Sequence, residues 1–211
     1  ACRGINERNG QVMALERMGT LRRTDYCGEL TPARVGDTVV VAGSIAKSRD
    51  LGGVIFADLR DTTGILQLAF DDGTDKGGFA KAASLKSEYV VMAKGLLRRR
   101  ESVNKALPTG EIELYVAELK ILSEAETPPF EVRDEVRVKD ELRLKYRYLD
   151  LRRESMHQPI VLRSKIAQII RNYYCDNHFC EIETPTLIKS TPEGARDYLV
   201  PSRVQPGHFY A

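Results

Sequence analysis

At 211 residues, 42% of them hydrophobic, the chain has material for one large core or two small ones. Its 32 basic and 30 acidic residues leave a net charge of +2, which argues against an unspecific polyanion binder and directs attention to local basic patches. No apolar run approaches the ~20 residues needed to span a bilayer, so a soluble protein without a membrane partner is expected.

The four cysteines, Cys2, Cys27, Cys175 and Cys180, form no Cys-x-x-Cys pair, and no histidine stands at zinc-ligand spacing. A reduced, cytoplasmic protein without a metal is the expectation. His157, His178 and His208 are isolated in sequence and read as surface or capping residues. Ala1 to Thr20 mixes charges and has no apolar segment of the secretory kind; Glu7 and Glu16 also weigh against a transit peptide. Residues 1–22 are taken as an unassigned extension.

In chain order, Val39-Val40-Val41 opens a strand that Gly43 lets bend. A second strand runs from Val54 to Leu59, with Ile55, Ala57 and Leu59 on one face and Val54, Phe56 and Asp58 on the other. Asp61-Thr-Thr-Gly64 makes a hairpin turn. In the third strand Leu66, Leu68 and Phe70 alternate with Ile65, Gln67 and Ala69. Phe79–Leu85 reads as a short helix and Tyr89–Leu97 as the fourth strand. Pro108-Thr-Gly110 precedes a fifth, in which Ile112, Leu114 and Val116 alternate with Glu113 and Tyr115.

Five strands with a helix between the third and fourth is the order of an OB-fold barrel, assigned to residues 23–122, and the second and third strands of that fold commonly bind nucleic acid. If Ile55, Ala57, Leu59, Leu66, Leu68 and Phe70 fill the barrel, Phe56 and Gln67 point outward, side by side on adjacent strands. An outward ring can stack on an unpaired base, and an amide can donate to and accept from a base edge. Arg49 precedes the second strand, and Arg98, Arg99 and Arg100 end the fourth; all four add positive charge. Glu113 brings a carboxylate able to accept from an exocyclic amine. The plainer alternative is that Phe56 packs beneath a loop and the arginines are a solvated rim.

Ser123 to Asp140, with Glu124-Ala-Glu-Thr-Pro-Pro129, reads as a hinge. The run Arg143-Leu-Lys-Tyr-Arg-Tyr-Leu-Asp-Leu-Arg-Arg153 follows; a charged amphipathic helix would look much the same. Leu162, Ile166, Ile169, Ile170 and Tyr173 then recur at helical spacing, and Asp176-Asn177-His178 ends the helix, Asn accepting the left-handed conformation. From Phe179 the period becomes two, Cys180 and Ile182 opposing Glu181 and Glu183, until Pro185 stops the strand. Pro192-Glu193-Gly194 is loop chemistry.

This order of helix, strand and proline resembles motif 1 of the class II aminoacyl-tRNA synthetases. The words Thr191-Pro-Glu-Gly-Ala-Arg-Asp-Tyr-Leu-Val-Pro-Ser-Arg203 are similar to those of the bacterial and organellar aspartyl branch. The resemblance implies an α+β chain: an N-terminal five-stranded OB-fold β-barrel that reads the tRNA anticodon, a hinge at 123–140, and at 141–211 the start of an antiparallel-sheet catalytic domain. It casts Phe56 as the stacking aromatic and Arg49, Gln67, Arg98, Arg100 and Glu113 as base or backbone contacts. Glu193 would meet the ammonium group of aspartate, and Leu162, Ile166, Ile169, Tyr173 and Pro185 would lie at a homodimer interface.

For the complete enzyme the resemblance implies ATP, Mg2+, L-aspartate and the tRNA anticodon stem-loop as cofactors and partners. Two departures stand out: Ser44 where the family usually has Trp after Gly43, and Ser48 inside a run that is usually three basic residues. Neither a Phe-Arg-x-Glu motif 2 nor a Gly-x-Gly-x-(Asp/Glu)-Arg motif 3 occurs, so no catalytic residue is assigned and this stretch alone is expected to be inactive. Two readings stay open: the N-terminal part of an aspartate–tRNA ligase, or a non-catalytic OB-fold RNA-binding module of the same ancestry.

Overall fold

The structure is a computed structural model that describes residues 16–71, 73–74, 76–191 and 196–211. It divides into two compact units, one ending at Lys139 and the other beginning at Asp140.

The first unit is a closed five-stranded barrel. Strands β1 (Thr38–Asp50), β2 (Ile55–Arg60), β3 (Ile65–Phe70), β4 (Val90–Arg99) and β5 (Ile112–Ser123) close in the order β1-β2-β3-β5-β4, with helix α1 (Lys76–Ala83) between β3 and β4. Alternation fills the interior as expected. Ile55, Ala57, Leu59, Leu66, Leu68, Phe70, Ile112, Leu114 and Val116 are all at most 1% exposed and join Val39, Val41, Ile45, Val91, Ala93 and Leu97 in one cluster. Such side chains together remove enough apolar surface from water to drive the fold.

Closure depends on β1 changing partners. Its first half pairs with β4, Thr38 opposite Leu96, and its second half pairs with β2, Asp50 opposite Ile55; Ser44 belongs to both ladders. Gly43 stands at this change, where a Cβ would lie 2.3 Å from the carbonyl oxygen of Arg60. The backbone can approach so closely only because no side chain intervenes.

The chain from Glu16 onward lies along the barrel. The Glu16 N–H donates to the Ile121 carbonyl at 3.0 Å, the Ile121 N–H donates to the Glu16 carboxylate at 3.0 Å, and Lys81 pairs with that carboxylate at 2.7 Å. Leu21 covers a second apolar cluster of Val40, Ala42 and Met92, and the Thr24 N–H donates to the Val40 carbonyl at 2.9 Å. Past β5, Ala125 still packs against the barrel core.

In the second unit, α2 (Asp140–Lys145) and α3 (Arg147–Asp150) precede the 23-residue α4 (Glu154–Asp176). The basic run is organised by one carboxylate. Asp150 is fully buried and accepts from Arg143 Nε at 3.0 Å, Arg147 Nη1 at 2.6 Å and Arg153 Nη1 at 3.4 Å. The hydrogen bond from Arg143 is the largest influence holding its carboxyl below the usual range, with the charges of Arg143, Arg147 and Arg153 adding to it.

Helix α4 ends where the sequence indicated, through a different residue. Asn177 stays right-handed at φ −96°, and His178 takes the left-handed position at φ 68°. The His178 N–H donates to the Cys175 carbonyl and the Phe179 N–H to that of Tyr174, while the Tyr174 and Phe179 rings meet edge to face at 5.4 Å. This is the Schellman arrangement with its apolar contact.

The strand expected after Phe179 does not form. Phe179 to Ile188 is exposed and belongs to no ladder; the described pairing in this unit joins β6 (Val200–Pro201) to β7 (Phe209–Tyr210), with Ile188 exchanging two hydrogen bonds with Ala211. Period-two alternation prepares a strand, but hydrogen bonds to a neighbour make one.

Two outcomes test this account. Gly43→Ala should lower stability by ~2 kcal/mol, the scale of an overpacked site, read from the urea midpoint at unchanged slope. Because the Asp150 carboxyl is depressed, its contribution is complete above the ordinary carboxylate range and fades as pH falls through the depressed value. Asp150→Asn should therefore destabilise the second unit by ~3 kcal/mol at neutral pH and flatten its acid sensitivity below about pH 4, followed by helical circular dichroism.

Candidate nucleic-acid interface

On the outer face of the barrel the registers align two rows of side chains across all five strands. One row runs Lys47, Asp58, Gln67, Glu113, Arg98; the next runs Arg49, Phe56, Ala69, Tyr115, Leu96. Both rows exist because β3 and β5 pair in parallel, setting Gln67 opposite Glu113 and Ala69 opposite Tyr115.

The first row is a hydrogen-bonded chain. Gln67 Nε2 donates to Glu113 Oε2 at 2.8 Å, and Arg98 Nε donates to Glu113 Oε1 at 2.8 Å. The carboxylate is thus held from both sides, while 38% of the Arg98 side chain stays exposed. Arg49 Nη2 lies 3.5 Å from Asp58 Oδ1, which keeps the exposed arginine over β2.

Gln67 corrects a sequence expectation. It does not stand exposed beside Phe56: it is 4% exposed, and its register partner is Asp58, whereas Phe56 pairs with Ala69. Flanked by Asp58 and Glu113, a mid-row amide is covered by its neighbours. Phe56 is half-buried on the outer face.

Arg49, Phe56, Gln67, Arg98 and Glu113 are therefore brought onto one face. Arg100 stands outside the two rows. It follows the end of β4, where its N–H donates to the Glu111 carbonyl at 3.0 Å, and Arg99 pairs with Glu111 at 3.6 Å. Glu193 lies outside the described residues. Leu162, Ile166, Ile169 and Tyr173 stand exposed along α4 at 58, 48, 67 and 65%, and Pro185 is exposed in the irregular stretch after it.

Two residues of this face were missed in sequence. The Arg98 guanidinium lies over the Tyr115 ring, 4.5 Å from its centroid, and the Tyr115 hydroxyl donates to Asp71 Oδ1 at 2.7 Å. That hydrogen bond is the main cause raising the Tyr115 phenol above its ordinary value and lowering the Asp71 carboxyl. The signal was the alternation on β5, which puts Tyr115 on the same face as Glu113. Among the described residues no three His, Cys, Asp or Glu side chains converge on a metal-sized site. No helix among them is long and apolar enough to cross a membrane.

Comparison with known proteins agrees with this geometry. The profile of the OB-fold nucleic acid binding domain matches residues 39–122, and that of the tRNA synthetases class II (D, K and N) matches residues 139–211. The aspartate–tRNA(Asp/Asn) ligase of Caldanaerobacter subterraneus subsp. tengcongensis is 54% identical over 93% of the chain, and the aspartate–tRNA ligase of Limosilactobacillus fermentum 51% over 90%. The chain spans 33% and 32% of those two proteins, about a third of their length. Among solved structures, an aspartyl-tRNA synthetase from Leishmania major superposes with TM-score 0.75 over 93% of this chain and 40% of its own, at 23% identity. An asparaginyl-tRNA synthetase from Pyrococcus horikoshii gives 0.73 over 90% and 42%, at 24% identity. At these identities the two structures establish the fold.

An alkaline titration followed by tyrosinate absorbance should lose, in Tyr115→Phe, a step lying above the ordinary phenol value of about 10. Loss of a step at the ordinary value would mean that the Asp71 bond is absent in solution.

Proposed function

We propose that this chain, which belongs to the aspartate–tRNA ligase branch of the class II tRNA synthetases, reads the anticodon loop of a tRNA on the outer face of its barrel. The observation that carries the reading is the juxtaposition of the outward Phe56 ring with the hydrogen-bonded Gln67–Glu113–Arg98 row. An aromatic face stacks on any base, and directional donors and acceptors beside it can distinguish base edges. Glu113 is as covered as Gln67, each 4% exposed, so it acts by orienting Arg98, which keeps free N–H edges for a base. Arg49 adds charge that attracts the phosphates.

In the complete enzyme this recognition serves the ATP-driven attachment of aspartate to tRNA in the cytoplasm, with Glu193 meeting the aspartate ammonium. ATP and Mg2+ belong to that larger protein, for these 211 residues carry neither arginine-bearing phosphate motif. The exposed apolar face of α4, with Leu162, Ile166, Ile169 and Tyr173, is the proposed homodimer contact, since so large an apolar stripe calls for a partner surface. Pro185 follows it. The lack of both phosphate motifs also keeps open the second reading, an RNA-binding module without catalysis.

The test is titration of the chain with an anticodon stem-loop RNA. Phe56→Ala should stay folded and bind more weakly by ~1 to 3 kcal/mol, and Arg98→Gln should flatten the salt dependence by about one counterion. The same preparation should catalyse no aspartate-dependent exchange of pyrophosphate into ATP. Unweakened binding by Phe56→Ala would move the interface elsewhere, and exchange above background would show that the chemistry resides in these residues after all.

A further inference from the structure

Arg98 is fixed more firmly than a single ion pair on a half-exposed strand would fix it. One N–H bond to Glu113 leaves a guanidinium free to pivot about that bond. The pivot is removed by a second contact, the Tyr115 ring beneath the guanidinium plane at 4.5 Å. A third contact brings Arg98 Nη1 to 3.9 Å from Asp71 Oδ2.

Tyr115 is itself held at its far end. Its hydroxyl donates to Asp71 Oδ1 at 2.7 Å, the same oxygen accepts the Gly73 N–H at 2.9 Å, and the Asp71 N–H donates to the hydroxyl of buried Thr74 at 3.2 Å. Gly73 makes the space for this: a Cβ there would lie 2.4 Å from the Tyr115 hydroxyl. The turn after β3 is thereby linked through one aromatic ring to the guanidinium at the end of the Gln67–Glu113–Arg98 row.

We propose that Tyr115, braced by Asp71, is a positioning residue that sets the Arg98 guanidinium plane and so determines how sharply the row discriminates between anticodon bases. The proposal rests on the anticodon reading above. A cation attracts phosphates from almost any orientation, so the charge of Arg98 works without Tyr115. A hydrogen bond to a base edge is directional and requires a fixed plane. Losing Tyr115 therefore affects discrimination and spares the electrostatic part of binding, a separation that general structural damage would not produce.

The experiment compares the chain's affinity for the aspartate anticodon stem-loop with that for the same stem-loop carrying one exchanged anticodon base, across a salt series. Tyr115→Leu should reduce the ratio of the two affinities about tenfold, the scale of one base contact, at an unchanged salt slope. Tyr115→Phe, which keeps the ring, should fall between, and Arg98→Gln should lower both ratio and slope. Adding Tyr115→Leu to Arg98→Gln should lower the ratio no further, because the two act as one unit. Should the leucine variant misfold, Gly73→Ala displaces the hydroxyl with the ring retained and should reduce the ratio in the same direction.

An unchanged ratio in the folded variants overturns the proposal alone, as does an effect of Tyr115→Leu that persists in full on the Arg98→Gln background. Failure of the parent chain to bind either stem-loop overturns the anticodon reading and this proposal with it.

Discussion

Parallel pairing of β3 with β5 is the constraint on which the interface depends. Gln67 and Glu113 are 46 residues apart, and nothing local would bring them together. They become neighbours because the barrel closes across these two strands. Closure in turn needs β1 to serve two ladders, and the absence of a side chain at Gly43 permits its change of partner. A backbone requirement on one side of the barrel thus fixes the polar row on another.

The polar groups of that row are arranged to tolerate burial. A carboxylate withdrawn from water is costly unless its oxygens find donors, and Glu113 finds one on each neighbouring strand. The same logic recurs around Asp150, where a fully buried carboxylate gathers three arginines of the basic run. In both places a buried acid orients the donors around it, and at Asp150 it also offsets the mutual repulsion of three arginines. The difference lies in the donors: Asp150 gathers three arginines, whereas Glu113 is held by one arginine and one amide.

Much of this was legible in the sequence. Period-two alternation identified the inward residues of β2, β3 and β5, and strand order identified the barrel. What alternation could not reveal was register. Phe56 and Gln67 share a face, but pairing Phe56 with Ala69 and Asp58 with Gln67 separates them diagonally and leaves the amide covered. The Tyr115–Asp71 link was equally invisible, because Asp71 lies in a turn that only the folded backbone brings to the ring. After α4 the error had the opposite sense: Cys180 to Glu183 alternate like a strand, yet a strand is a relation between two segments, and among the described residues none pairs with them. The helix itself was secure, since its hydrogen bonds are internal, although the left-handed residue proved to be His178.

The bonds between Glu16 and Ile121 span 105 residues of chain. Contacts so distant in sequence form late, because the intervening loop must be closed before they are rewarded. During synthesis from the N-terminus, Glu16 must wait without its partner until β5 emerges, and the outer face waits with it, since Glu113 and Tyr115 are carried by that same last strand. The barrel therefore has no half-built form that presents the recognition rows: completion of the closing strand delivers the fold and its binding face together.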